Sequence, residues 1–360
     1  MKYFGVVYDV GLRFSGSDTL SVEPFNPVQV EQDMRVVAND LHANAVRIEG
    51  ANIERLLTAS RAAHAAGLAV YFNPWKMDAG FEETRAYVAE AAVAAETLRR
   101  EGADIVFVTG CEYTVFSDGI YPGSTVFERS GWVHEQLGDF GWPKSPVGLP
   151  EPFPEKAKEL NRVLAALAET VRNVFGGPLT YSAAIFEDVD WSIFDIVGTN
   201  YYRETQTDEE YIAGLDYFGS HDKPIAIAEF GCCAYEGGAA LGARGWRVLQ
   251  GVNLDGTGNW RDGVVPTRSE REQADYVERQ LKVFATQDVV EAAFVYVFTH
   301  QGYPTGEGAR DLDLGCYAIA KLFPDNDPRS KAMPPWEPKE AYHRAAAFFQ
   351  EHAAVGTSEG

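Results

Sequence analysis

The chain predicts a closed (β/α)8 TIM barrel with long loops after strands four and seven, and three observations carry that expectation. Short apolar runs alternate with amphipathic stretches eight times from end to end, with no break in composition to mark a second domain. Two of the runs, Asp104-Ile-Val-Phe-Val-Thr-Gly-Cys-Glu112 and Pro224-Ile-Ala-Ile-Ala-Glu229, stop on a glutamate, as strands do where a buried sheet gives way to loops and solvent. At 360 residues and 46% hydrophobic content, the chain can bury one large core. The expected organisation is a single (β/α)8 domain over 1–355, followed by a disordered tail over 356–360.

The elements follow in order. The first strand runs from Tyr3 to Val10. Beyond Pro27, Val28, Val30, Met34, Val37 and Leu41 recur near helical spacing. Asn44 to Ile48 reads as the second strand. The helix after it, Asn52 to Ala66, stops at Gly67, a residue suited to the left-handed turn that ends helices, and the third strand Leu68 to Phe72 follows. An alanine-rich helix, Phe81 to Glu101, leads into the strand that ends on Glu112. From Tyr113 to Pro154 the rhythm breaks into a stretch rich in Gly, Pro and aromatics, too long for an ordinary connection, which reads as a functional loop. Pro154 to Val174 is helical again, Leu179 to Ala184 is the fifth strand and Ile193 to Asn200 the sixth. A short helix, Asp208 to Phe218, precedes the strand ending on Glu229. A second irregular stretch, Gly231 to Pro266, carries Trp246 and Trp260. Ser269 to Thr286 is a helix, Ala292 to Phe298 the eighth strand, and Pro338 to Ala353 the last helix.

Charge and motifs narrow the function. With 53 acidic and 31 basic residues the formal charge is -22, which argues against nucleic acid or an anionic membrane as partner and favours a neutral small molecule. The N-terminus has no long apolar core with a small-residue cleavage site, and no run approaches 18 apolar residues, so the chain reads as soluble and cytoplasmic. The four cysteines, Cys111, Cys232, Cys233 and Cys316, lack CxxC spacing and read as reduced thiols packed as small hydrophobes, with no metal expected. No phosphate-binding glycine motif is present, and no cofactor is expected. Nothing bears on the oligomeric state.

In this architecture functional groups gather at the C-terminal ends of the strands. Those ends carry Arg47 on strand two, Glu112 on strand four, Asn200, Tyr201 and Tyr202 on strand six, Glu229 on strand seven, and Phe298 and His300 on strand eight. Trp75 follows strand three. Two carboxyls facing one cavity are what glycoside hydrolysis needs, one to protonate the leaving oxygen and one to attack or to activate water. Desolvation beside Cys111 and the aromatic-rich stretch would hold Glu112 protonated. Of the two adjacent tyrosines only one can face inward on a regular strand, and Tyr201 is the one favoured. Each of these residues also has a plain structural role open to it: a strand-end carboxylate pairs with an arginine, a loop tryptophan anchors its loop, and Asp311 and Asp313 beyond strand eight read as a solvated loop.

These strand ends resemble the superfamily of (β/α)8 retaining glycoside hydrolases often called clan A, in order and spacing over nearly the whole chain. The resemblance implies Glu112 as acid/base, Glu229 as nucleophile, Arg47 as the strand-two arginine beside the nucleophile, and Tyr201 as the strand-six tyrosine that hydrogen-bonds it. Asn200, Tyr202, Trp75, Phe298 and His300 are further substrate-binding candidates. Two positions depart from the pattern: Cys111 stands where the superfamily usually has asparagine, and Phe298 is the nearest residue to its strand-eight tryptophan. The expected function is retaining hydrolysis of a small glycoside. The second reading is a glycosidase-like barrel that binds carbohydrate or uses the pair on a non-sugar substrate.

Overall fold

A computed structural model describes residues 1–14, 17 and 19–356. Eight parallel strands wrap into a barrel: β1 (Tyr3–Asp9), β2 (Ala45–Gly50), β3 (Ala69–Pro74), β4 (Ile105–Cys111), β5 (Leu179–Ser182), β6 (Val197–Asn200), β7 (Ile225–Phe230) and β8 (Val290–Val295). β8 lies beside β1 and β7, which joins the two ends of the chain in one sheet. The one seam without a full ladder, β5 to β6, is bridged at Ala183 and Thr199, and it is held by Ala183 N donating to Gly198 O and Asn200 N to Ala183 O. At that seam the backbones approach so closely that a Cβ on Gly198 would sit 2.1 Å from the Tyr181 carbonyl oxygen.

Strand alternation builds two cores. Val7, Ala45, Tyr71, Val106, Val108, Ala226 and Phe294 point inward and fill the barrel. Their neighbours Val6, Val46, Ile48, Val70, Phe72, Phe107 and Ile227 point outward against the helices. The helical shell consists of α1 (Pro27–Asn39), α2 (Ile53–Ala65), α3 (Phe81–Arg100), α4 (Tyr113–Phe116), α5 (Val126–Leu137), α6 (Phe153–Arg172), α7 (Asp208–Gly219), α8 (Glu270–Ala285) and α9 (Glu340–Gly356). Their starts use the local chemistry the sequence offers. The Asn26 side chain accepts from Val28 N ahead of Pro27, Asn52 accepts from Arg55 N, and Thr207 with Glu210 makes a reciprocal capping box.

Three expectations are corrected. The segment from Tyr113 to Pro154 is not wholly irregular, because Thr125 caps the 12-residue helix α5 inside it. The segment from Gly231 to Pro266 carries 3-10 turns over Ala239–Val248 and a small hairpin, Leu249–Val252 with Gly258–Trp260. The eighth strand spans Val290–Val295 and leaves Phe298 beyond the ladder. The tail expected over 356–360 lies outside the described residues, apart from Gly356 at the end of α9. Among the described residues no helix is long and apolar enough to cross a membrane.

Candidate active site

The C-terminal mouth of the barrel gathers a connected set of polar groups from six strands, β2 to β7. On β2 the alternation that buries Ala45 inside the barrel also turns Arg47 and Glu49 inward, and both are fully buried. The Arg47 guanidinium is held by Asn73 of β3, whose Oδ1 accepts from Nη2 at 2.7 Å and from Nε at 3.0 Å. Thus fixed, Nη1 donates to Glu229 Oε1 at 2.7 Å. The second Glu229 oxygen, Oε2, accepts from the Tyr202 hydroxyl at 2.9 Å. A third donor is the Cys111 thiol, 3.5 Å from Glu229 Oε1. Burial, with the Glu229 charge behind it, pushes that thiol up and keeps its proton in place.

Glu112 arrives at the same place by a strained route. It sits just past β4 at φ 42° and ψ 50°, in the left-handed region, as the residue that starts α4. Its N–H donates to Ser182 O at 2.8 Å, and the turn that follows is pinned by Tyr113 N to the Tyr181 hydroxyl at 2.6 Å and by Thr114 N to Glu187 Oε1 at 3.0 Å. Glu187 is itself buried and also accepts from the Thr114 and Tyr181 hydroxyls and from Ala184 N. The Glu112 carboxyl receives Asn200 Nδ2 at 2.7 Å, and Asn200 is oriented by the Ser182 hydroxyl, which donates to its Oδ1 at 2.6 Å. Burial first, and the Glu229 charge second, lift the Glu112 carboxyl to about 8, against the pull of Asn200. Glu112 therefore carries its proton at neutral pH.

Several expected residues fall elsewhere. Tyr201 does not reach Glu229: strand alternation turns it outward, where its hydroxyl donates to Tyr211 O at 2.7 Å and its ring stacks on Tyr211. Tyr202, one residue on, takes the place expected for it. Phe298 is no platform at the mouth, since it is fully buried among Tyr8, Trp336 and Tyr342 on the outer side of the sheet. Trp75 is buried too, packed with Leu12, Met77, Cys111 and Phe116 beside the site. His300 stands against Tyr303, and burial lowers it to about 4; no hydrogen bond links it to either glutamate. Asp311 and Asp313 are not a solvated loop, because Arg268 binds both and Lys339 binds Asp313. Trp132 and Trp142 anchor their segment against Tyr121, Phe153 and Phe186, and Trp260 Nε1 donates to Ala309 O. All four cysteines are buried and unpaired.

Sequence reasoning did not single out Asn73 and Ser182. Their signal was present, a polar residue at the inward position of the last turn of an apolar strand, but it needs the strand register before it can be read. Glu49 is the least satisfied group in the site. Neither carboxyl oxygen completes a well-aligned hydrogen bond; its nearest cation is Arg47 Nη2 at 3.3 Å, and the Tyr296 hydroxyl lies beside it. Burial raises it well above the ordinary carboxyl range, with Glu229 and Asp9 adding to the effect and Arg47 opposing it. Among the described residues no group of three or more His, Cys, Asp or Glu side chains is placed to hold a metal.

The (β/α)8 fold is similar to that of several solved structures. A GH113 β-1,4-mannanase superposes with a TM-score of 0.58 at 14% identity, over 97% of this chain and 99% of its own. The GH113 β-mannanase of Alicyclobacillus acidocaldarius gives 0.57 at 14% identity over 98% of each chain. An FMN-binding β-glucuronidase from Facaelibacterium prausnitzii L2-6 gives 0.57 at 13% identity, over 97% of this chain but 44% of its own. At such identities the likeness is one of backbone. No family model matches the sequence, and no curated protein is similar to it in sequence.

Proposed function

We propose that the protein is a retaining glycoside hydrolase of a single (β/α)8 catalytic domain, acting on a small glycoside by double displacement. The observation that carries this reading is the asymmetry of the two strand-end carboxyls. Three donors, from Arg47, Tyr202 and Cys111, converge on Glu229, while Glu112 has one neutral donor and a proton affinity lifted by burial. Glu229 is the nucleophile and Glu112 the acid that protonates the leaving oxygen, then the base that activates water. Arg47 positions Glu229 with its charge, and Asn73 positions Arg47. Tyr202 is the donor that must release Oε2 or follow it as the glycosyl ester forms. Asn200 holds Glu112 toward the departing oxygen. The barrel neighbours named as mannanase and glucuronidase support the reaction class and leave the sugar open.

Retention requires the carboxyls about 5 to 5.5 Å apart, whereas about 6.5 to 9.5 Å would give inversion. Aryl glycosides of several sugars and both anomers, with product configuration followed by proton NMR, test the reaction and its stereochemistry together. Glu229→Gln should remove activity by several powers of ten with the fold intact. Glu112→Ala should spare activated aryl leaving groups, and added azide should restore turnover as a glycosyl azide. Near-normal turnover in Glu229→Gln would exclude it as the nucleophile.

A further inference from the structure

The segment after β7 carries a cation that the protein leaves uncompensated. Among the described residues Arg47, Arg55, Arg129, Arg203, Arg244 and Arg268 are the other arginines that are buried or half-buried, and each meets a carboxylate. Arg247 is half-buried and meets none. Its Nη2 donates to the Ser130 hydroxyl at 3.0 Å, and its guanidinium lies over the Trp246 ring at 5.6 Å from the centroid. Its neighbours add to the positive charge: Arg244 and Arg261 both oppose protonation of Arg247, after burial itself. His134 faces the same cluster, and burial together with Arg247 and Arg244 lowers its proton affinity below the ordinary imidazole value. Arg244 spends its charge on Glu204, which it meets at 2.9 and 2.7 Å. In a chain of net charge -22, a half-desolvated guanidinium beside like charges calls for an anion from outside the protein.

Its position gives that anion a context. Ser130 and His134 belong to α5, in the segment that begins at Glu112, so the Arg247 to Ser130 bond ties the two mouth segments together. On the other side the Tyr317 hydroxyl donates to Ala243 O, and the Tyr317 ring packs on Tyr202, the residue that donates to Glu229. An acid on Glu112 places the leaving group on the β4 side of the mouth. We propose that Arg247, with the Ser130 hydroxyl and the Trp246 face, forms an anion-binding subsite for a carboxylate, sulfate or phosphate carried by the leaving group of the glycoside. The forked guanidinium suits a planar or tetrahedral oxyanion, and the indole beside it suits an aromatic or sugar ring bearing that group. The leaving-group assignment rests on the glycosidase reading; the anion site itself does not.

The test therefore has two arms, using the full chain with Arg247→Gln and Arg247→Lys. In the first, melting temperature is followed against benzoate, sulfate and phosphate at constant ionic strength. A saturable rise in the wild type, weaker in Arg247→Lys and lost in Arg247→Gln, is expected, and the preferred anion identifies the group. Equal responses in wild type and Arg247→Gln, or no response, overturn the site. In anion-free buffer Arg247→Gln should melt close to wild type, because relief of the like-charge repulsion from Arg244 and Arg261 offsets the lost Ser130 bond; a clear loss would make Arg247 a structural residue and also overturn the site. In the second arm, carboxylated and plain nitrophenyl glycosides are compared. The wild type should favour the carboxylated one through KM by about tenfold, the size of one charge-assisted contact, and Arg247→Gln should lose that preference. Turnover without the preference refutes the leaving-group assignment and leaves the hydrolase standing. Anion binding without turnover of any glycoside removes the hydrolase reading, and the leaving-group assignment with it, and leaves the anion site standing.

Discussion

Glu112 shows how much local strain the site holds. A non-glycine residue at φ 42° costs about 1–3 kcal/mol and persists only where its surroundings over-determine it. Here the determinants are the bonds from Glu112 N to Ser182 O, Tyr113 N to Tyr181 and Thr114 N to the buried Glu187. The turn aims the carboxyl into the half-buried mouth, where desolvation lifts it to about 8, so the acid is loaded below that pH and lost above it. With a basic leaving group, kcat/KM should fall as pH rises through about 8, and with an activated aryl group much less so. Identical basic limbs for the two substrates would remove Glu112 from the acid role. Stability follows the same shift. A carboxyl bound more tightly to its proton in the fold than at the ordinary value of about 4.3 stabilises the fold below that value and loses the contribution as pH climbs. Glu112→Gln should therefore gain melting temperature relative to wild type between pH of about 4 and about 8, by calorimetry across that range. The paired tyrosines give a second contrast. Tyr202→Phe removes a bond to a charged group and should cost about 1.5–3 kcal/mol in kcat/KM. Tyr201→Phe removes a buried bond to Tyr211 O and should cost about 1 kcal/mol of stability with kcat/KM little changed. Kinetics and urea unfolding of the two variants decide this, and the reverse assignment would mean the strand is turned the other way.

At the scale of elements, the barrel depends on its narrowest seam. β5 and β6 are four residues each and meet through a single bridge, with Gly198 against the Tyr181 carbonyl. Since Ser182 and Asn200 stand on these two strands, the seam sets where Asn200 holds Glu112. Gly198→Ala should destabilise by about 1–3 kcal/mol, the cost of forcing backbones apart in a packed interior. It should also lower activity. Gly131, exposed within α5 with open space at its Cβ position, is the control of opposite sign. Gly131→Ala should stabilise by about 0.5–1 kcal/mol through helix propensity and a less flexible unfolded chain. Denaturant melts of both check the signs, and a neutral Gly198→Ala would mean that the seam opens without cost.

For the molecule as a whole, the charge of -22 opposes the compact state, and salt screens that repulsion over about 8–10 Å at ordinary ionic strength. Melting temperature should therefore rise when sodium chloride is taken from low to physiological concentration. A fall would mean that surface ion pairs outweigh the net repulsion.

The barrel itself was legible because period-two and period-3.6 patterns are local and repeat eight times, and because a strand that ends on a carboxylate exposes its own polarity. For the same reason Glu112, Glu229 and Arg47 could be read as strand-end groups one at a time. What the sequence could not decide was facing and register. Which of Tyr201 and Tyr202 meets Glu229 depends on which face of β6 turns into the barrel, and the register between β6 and β7 shifts at Asn200. Phe298 left the mouth because β8 ends at Val295. The roles of Asn73 and Ser182 exist only once β2 lies beside β3 and β4 beside β5, and the isolation of Arg247 appears only when every other buried arginine has found its carboxylate. Local pattern determined the kind of fold and the rim on which its chemistry sits. Only tertiary structure decided the pairings, because hydrogen bonds and charge compensation join residues that are distant in the chain.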